Sequence, residues 1–146
     1  MSIDNLNKKI LKCLQQNARQ SNAEIGRQVG ISSPAVSERI KKMEDLGIIE
    51  DYKTMVSPFD LGYQFKAIIT LRAFMGKLKP FLEKVKTYDE VINCYRITGD
   101  ENIVMEVVLK NQKHLELFID QLITYGETKT QIVLSRVVKQ KEVKPV

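Results

Sequence analysis

The sequence predicts an α+β chain in which a helix-turn-helix unit precedes a ferredoxin-like βαββαβ unit. Three observations carry this reading. Two short helical patterns flank Gly30, each opened by a serine, Ser21 and Ser32. At Phe65 the apolar period changes from the 3.6 of a helix to the 2 of a strand. From there strand-like and helix-like segments follow in the order βαββαβ.

Asp4 is placed to cap a first helix, because a carboxylate oxygen accepts from an amide of the first turn. Leu6, Ile10, Cys13 and Leu14 then recur at helical spacing up to about Asn17. Ser21 and Glu24 make a capping box, which predicts a second helix from Asn22 to Val29. Gly30 sits where a left-handed residue ends a helix, and Ile31 follows as an apolar plug. Ser32 caps the third helix, and Pro34 falls in its first turn, where no amide proton is needed. Ala35, Val36, Ile40, Met43 and Leu46 line one side of that helix. The segment from Ile48 to Val56 reads as an extended arm, stopped at Ser57-Pro58.

Phe65, Ala67, Ile69, Leu71 and Ala73 alternate as a half-buried strand, and Leu78, Phe81, Leu82 and Val85 repeat as one helical face. Val91 to Thr98 and Asn102 to Leu109 read as strands joined by Gly99-Asp100-Glu101. Leu115, Phe118, Ile119 and Leu122 predict another helix, and Thr130 to Val138 a last strand. Two helices cover one sheet face. The other is expected to present Ile68, Phe74, Val104, Val108, Val133 and Val137, an apolar patch that a second copy would bury. The domains expected are 1–56 for the helix-turn-helix, 57–64 as linker, 65–140 for the sheet unit, and 141–146 as a basic tail.

The 146 residues carry a net charge of +5, with 43% hydrophobic residues. That balance suits a nucleic-acid binder, yet residues 1–60 hold 9 basic against 8 acidic side chains, so placement matters more than the total. No apolar run reaches the roughly 18 residues of a membrane span, and the first residues lack a signal-peptide stretch, which predicts a cytoplasmic protein. Cys13 and Cys94 are too few and too far apart for a disulfide framework or a Cys-x-x-Cys metal site. No metal-ligand cluster, nucleophile–base pair or phosphate loop is found, so neither metal, cofactor nor catalysis is expected. The lone His114 reads as a solvated side chain. Exposed aromatics for stacking RNA bases are missing from the central strand Ile103–Val108.

The motif that carries chemistry is the third helix. Opposite its apolar stripe lie Pro34, Ser37, Glu38, Lys41 and Asp45, with Ser33 and Lys42 on the flanks and Ser32 at the cap. The N-terminal half of such a face meets base edges in a major groove, while Lys41 and Lys42 suit phosphates. Glu38 either accepts from cytosine or repels the backbone, and Arg39, at the stripe's edge, reaches a phosphate or braces the fold. Double-stranded DNA is the expected partner through Ser32, Ser33, Pro34, Ser37, Glu38, Arg39, Lys41 and Lys42.

The chain resembles the Lrp/AsnC (feast/famine) family of transcription regulators. The resemblance runs through Ile3-Asp4, Lys9-Ile10-Leu11, Asn17-Ala18-Arg19, Ile25-Gly26, Val29-Gly30-Ile31-Ser32, Val36, Arg39-Ile40, Glu44–Ile49 and the Gly99–Asn102 loop. It covers roughly residues 2–140. It implies a winged helix-turn-helix domain followed by a ferredoxin-like regulatory (RAM) domain. It further implies a homodimer that builds larger assemblies, an octamer among them, and an amino-acid effector held between dimers. By motif the effector residues are Gly99, Asp100, Glu101, Asn102, Thr128 and Thr130. Their chemistry agrees: a carboxylate holds an α-ammonium, while amides and hydroxyls hold an α-carboxylate. A tight hairpin with glycine at positive φ explains the same loop equally well. Two departures from the family pattern fall beside this pocket: Asn102 replaces an acidic residue, and the stretch before the last strand is about two residues short. Two other readings remain: a DNA-compacting protein without an effector, using the basic tail, and an enzyme like the sirohaem decarboxylases, for which His114 is the one imidazole on offer.

Overall fold

The computed structural model describes residues 3–146 and divides into two compact units: residues up to Met55 together with Val138–Val146, and Val56–Val137. The division differs from the expected boundaries at the C-terminal end, where the tail groups with the first unit.

In the first unit α1 spans Asn5–Gln16, α2 Asn22–Val29 and α3 Ser33–Asp45. The caps are made by the residues the sequence singles out. Asp4 accepts from the Asn7 amide, and both hydrogen bonds of the Ser21–Glu24 capping box are formed. Gly30 lies in the left-handed region at φ 82°, and Ser32 accepts from the Ala35 amide. The core holds Ile10, Leu11, Cys13, Ile25, Val29, Val36 and Met43, with Ile31 and Ile40 packed against it. Leu46 does not join the stripe. It is the C-cap of α3 and half exposed, because the helix stops at Asp45 and Gly47, at φ 69°, turns the chain away. Residues 50–56 are neither helix nor strand among the described residues.

The second unit contains β1 (Phe65–Ala73), α4 (Leu78–Lys84, continued by one 3₁₀ turn), β2 (Val91–Arg96), β3 (Ile103–Leu109), α5 (Gln112–Leu122) and β4 (Gly126–Ile132). The sheet order is β2-β3-β1-β4 with every pairing antiparallel, the ferredoxin-like arrangement. Ala67, Ile69 and Leu71 of β1 pair with Val107, Met105 and Ile103 of β3, and all six are fully buried beneath the helices. Phe81 of α4 and Phe118 and Leu122 of α5 close that layer.

Two expectations for this unit are corrected. The last strand runs Gly126–Ile132, not Thr130–Val138. The Tyr125 amide donates to Leu122 O at the end of α5, so the chain enters β4 without a loop, and Leu134 and Val137 lie almost fully exposed beyond it. The open face is also less apolar than expected. Ile68 and Val104 are half-buried and Val108 is buried, but β4 adds Glu127, Lys129 and Gln131 opposite Arg72, Thr70 and Ile68. Lys66 pairs with Glu106 across the same face at 3.9 Å, and Phe74 lies in the turn after β1.

Candidate DNA-binding helix and effector cavity

α3 presents Pro34, Ser37, Glu38, Lys41 and Lys42 to solvent, with Ser33 half-buried. The helix is anchored from behind by Val36 and Met43, which are essentially inaccessible, so its polar face is turned outward. At its start, Ser32 uses an oxygen lone pair for the cap and keeps its hydroxyl proton for an incoming acceptor.

Arg39 is used otherwise. Its Nη1 donates to Asp4 Oδ2 at 2.7 Å and to Asn7 Oδ1 at 2.9 Å, joining α3 to the start of α1. Of the two roles the sequence left open for Arg39, the structure shows the brace. The guanidinium hydrogen bond holds the Asp4 carboxyl below its ordinary range, helped by the Asn7 amide. At the other end of α3, Tyr52 donates to Glu44 Oε1 at 2.8 Å. Partial burial, with the carboxylate beside it, pushes the phenol up to about 12.

The loop between β2 and β3 is the tight hairpin its sequence suggests: Gly99 has φ 109°, and the Ile97 amide donates to Asn102 O. Beside it, on the second unit, a cavity of about 280 Å3 is lined by Thr70 and Arg72 of β1, Asp100 and Glu101 of the loop, and Glu127, Thr128 and Lys129 of β4. Of the six effector residues expected, the cavity takes in Asp100, Glu101 and Thr128. Gly99, Asn102 and Thr130 are not part of its wall. Asn102 instead ties the sheet: its Oδ1 accepts from the Ala73 amide at 2.7 Å and its own amide donates to Leu71 O.

The cavity is charged and already internally matched. Arg72 pairs with Glu127 at 2.5 Å and Lys129 with Glu101 at 2.7 Å. The Lys129 ammonium lowers the Glu101 carboxyl, and Glu101 in turn raises the Lys129 amine. Sequence reasoning missed Thr70, Arg72, Glu127 and Lys129. The signal for the first two was present, since they alternate with the buried Ile69 and Leu71 and so fall on the open face. Placing the last strand four residues too late hid the other two.

His114 is not the solvated side chain expected. Its Nδ1 accepts from the Lys110 amide at 3.0 Å, and Nε2 lies 2.9 Å from Glu90 Oε1. The backbone donor fixes the proton on Nε2 in the neutral ring, and the pair ties the start of α5 to the turn before β2. Both side chains are largely covered. No group of three or more His, Cys, Asp or Glu side chains able to hold a metal occurs among the described residues, and no helix there is long and apolar enough to cross a membrane.

Comparison with known proteins matches residues 3–50 to the family described as winged helix-turn-helix DNA-binding, and residues 66–143 to the Lrp/AsnC ligand binding domain. The chain is 36% identical to the HTH-type transcriptional regulator Ptr1 of Methanocaldococcus jannaschii, over 83% of this chain and 82% of the relative. With LrpB of Bacillus subtilis the identity is 32%, over 95% and 93%. Among solved structures, E. coli AsnC superposes with a TM-score of 0.86 at 33% identity, over 99% of this chain and all of that one. A transcriptional regulator from Neisseria meningitidis, solved as its complex with L-Met, shares the fold with a TM-score of 0.89 at 24% identity, over 94% of each chain. A capped and braced third helix, a four-stranded sheet in the order β2-β3-β1-β4, and matches that together span most of the chain lead to one conclusion: this protein belongs to the Lrp/AsnC family and is a DNA-binding transcriptional regulator, not an enzyme.

Proposed function

We propose that the protein binds operator DNA sequence-specifically through α3, as a homodimer assembled further to a dimer of dimers or an octamer, and is modulated by a small amino acid. The observation that carries the DNA part is the anchoring of α3 by buried Val36 and Met43 with Pro34, Ser37, Glu38 and Lys41 outermost. The serine hydroxyl is suited to base edges, and Lys41 and Lys42 to phosphates. Lys41→Ala is expected to weaken binding to all duplexes alike and to lower the salt slope by about 1, whereas Ser37→Ala alters sequence preference. Mobility-shift titrations at several salt concentrations read both. If Lys41→Ala leaves affinity and slope untouched, α3 does not face DNA as proposed.

The effector reading rests on the Lrp/AsnC ligand-binding match together with the charges of the cavity. A zwitterion brings an ammonium toward Asp100 and a carboxylate toward Arg72 or Lys129, where it displaces Glu127 or Glu101 from its ion pair. A thermal-shift screen of the twenty amino acids, paired with light scattering, tests it. One of them is expected to raise the melting temperature or change the assembly mass, and Asp100→Ala to abolish that response. A response that survives Asp100→Ala places the effector elsewhere.

A further inference from the structure

The C-terminal segment folds back within the first unit. The Gln15 side chain grips the backbone of Val143 at two points: its Nε2 donates to Val143 O at 3.0 Å, and its Oε1 accepts from the Val143 amide at 2.8 Å. One side-chain amide thus satisfies both polar groups of one residue, as a neighbouring strand would, and fixes where the tail lies.

What it brings there is charge. Lys139, Lys141 and Lys144 are exposed along this segment, against a single carboxylate side chain, Glu142. On α1, Lys8, Lys12 and Gln15 follow Asp4 at i+4, i+8 and i+11 and share its side of the helix. Asp4 itself is occupied by Arg39 of α3. None of these five lysines is ion-paired among the described residues. Exposed lysines on the tail and on α1 repel only modestly through water, and a chain of phosphates has the length and charge density to lie against both groups.

We infer that the tail, held by Gln15, is a second DNA contact: Lys139, Lys141 and Lys144, with Lys8 and Lys12 of α1, engage backbone phosphates beside the groove read by α3. This rests on the DNA-binding reading above and adds a surface to it that carries no sequence information. Gln15 is its positioning residue, since it touches the tail and not the phosphates.

The test uses the full chain and a duplex of arbitrary sequence, with affinity measured from low to high salt. Removing one lysine–phosphate pair is expected to reduce the slope of log K against log salt by about 0.9. Lys139→Gln, Lys141→Gln and Lys144→Gln combined should therefore flatten it while sequence preference is kept. Gln15→Leu, with every lysine retained, should flatten it in part, because a released tail is no longer pre-positioned. The proposal is overturned if both variants keep the wild-type slope while Lys41→Ala still lowers it. It is equally overturned if Gln15→Leu lowers only the melting temperature, which would make the contact a structural tie. A wild-type protein that binds no duplex at all removes the DNA reading together with this one.

Discussion

Phe118→Ala is expected to destabilise the sheet unit by about 3–5 kcal/mol, enough to leave it marginal or unfolded at 37 °C. Phe118 is fully inaccessible in the middle of α5 and meets Tyr88 edge to face, with ring centroids 5.3 Å apart at 84°. The truncation removes a whole ring from beneath the helix layer and also forfeits the aromatic pair, which adds about 0.5–1.5 kcal/mol beyond the buried area. The site cannot collapse cheaply. Its floor is the β1–β3 ladder, whose register fixes Ala67, Ile69 and Met105 in place. Urea denaturation of the full chain, followed by far-ultraviolet dichroism, measures the cost. A loss below about 1 kcal/mol would mean that α5 is not clamped onto the sheet as described.

Gly26→Ala is expected to damage DNA binding more than its single methyl suggests. A Cβ at Gly26 would stand 2.5 Å from the carbonyl oxygen of Ile31, a clash that backbone atoms cannot relieve by rotating a side chain. Gly26 O accepts from both the Gly30 and Ile31 amides, so the same residue closes the turn between α2 and α3. Making room means pushing the turn away from α2, which tilts α3 and unseats Ile31 from the core. Overpacking of this kind costs about 1–3 kcal/mol. With α3 as the groove-reading helix proposed above, affinity is expected to fall even at temperatures where the variant remains folded. Unchanged affinity with unchanged melting temperature would show that the turn accommodates the methyl freely.

Where local chemistry alone decides, the sequence was enough. Capping at Asp4, Ser21 and Ser32 depends on side chains one turn from their donors, and the alternation of β1 records a strand with one face under helices. β4 was misplaced because its outward residues Glu127, Lys129 and Gln131 are polar and its inward ones include two threonines, whereas the β-branched run after Ile132 imitates a strand that is not made. Its true start depends on Gly126, where a Cβ would run into the backbone of Arg72; that close approach to β1 exists only in three dimensions. Arg39 and His114 were ambiguous or misleading for the same reason. Their partners, Asp4 with Asn7 and Glu90 with the Lys110 amide, are brought to them by the fold. The cavity was half legible: its loop is a local motif, while Arg72 meets Glu127 only through strand pairing.

The two apolar cores have no residue in common, one formed by Ile10, Ile25, Val36 and their neighbours, the other beneath the sheet. Substitutions distant enough to share no partner combine additively. The stability cost of a change in one core is therefore expected to add to that of a change in the other. Either core can therefore be repacked over evolution without a compensating substitution in the other.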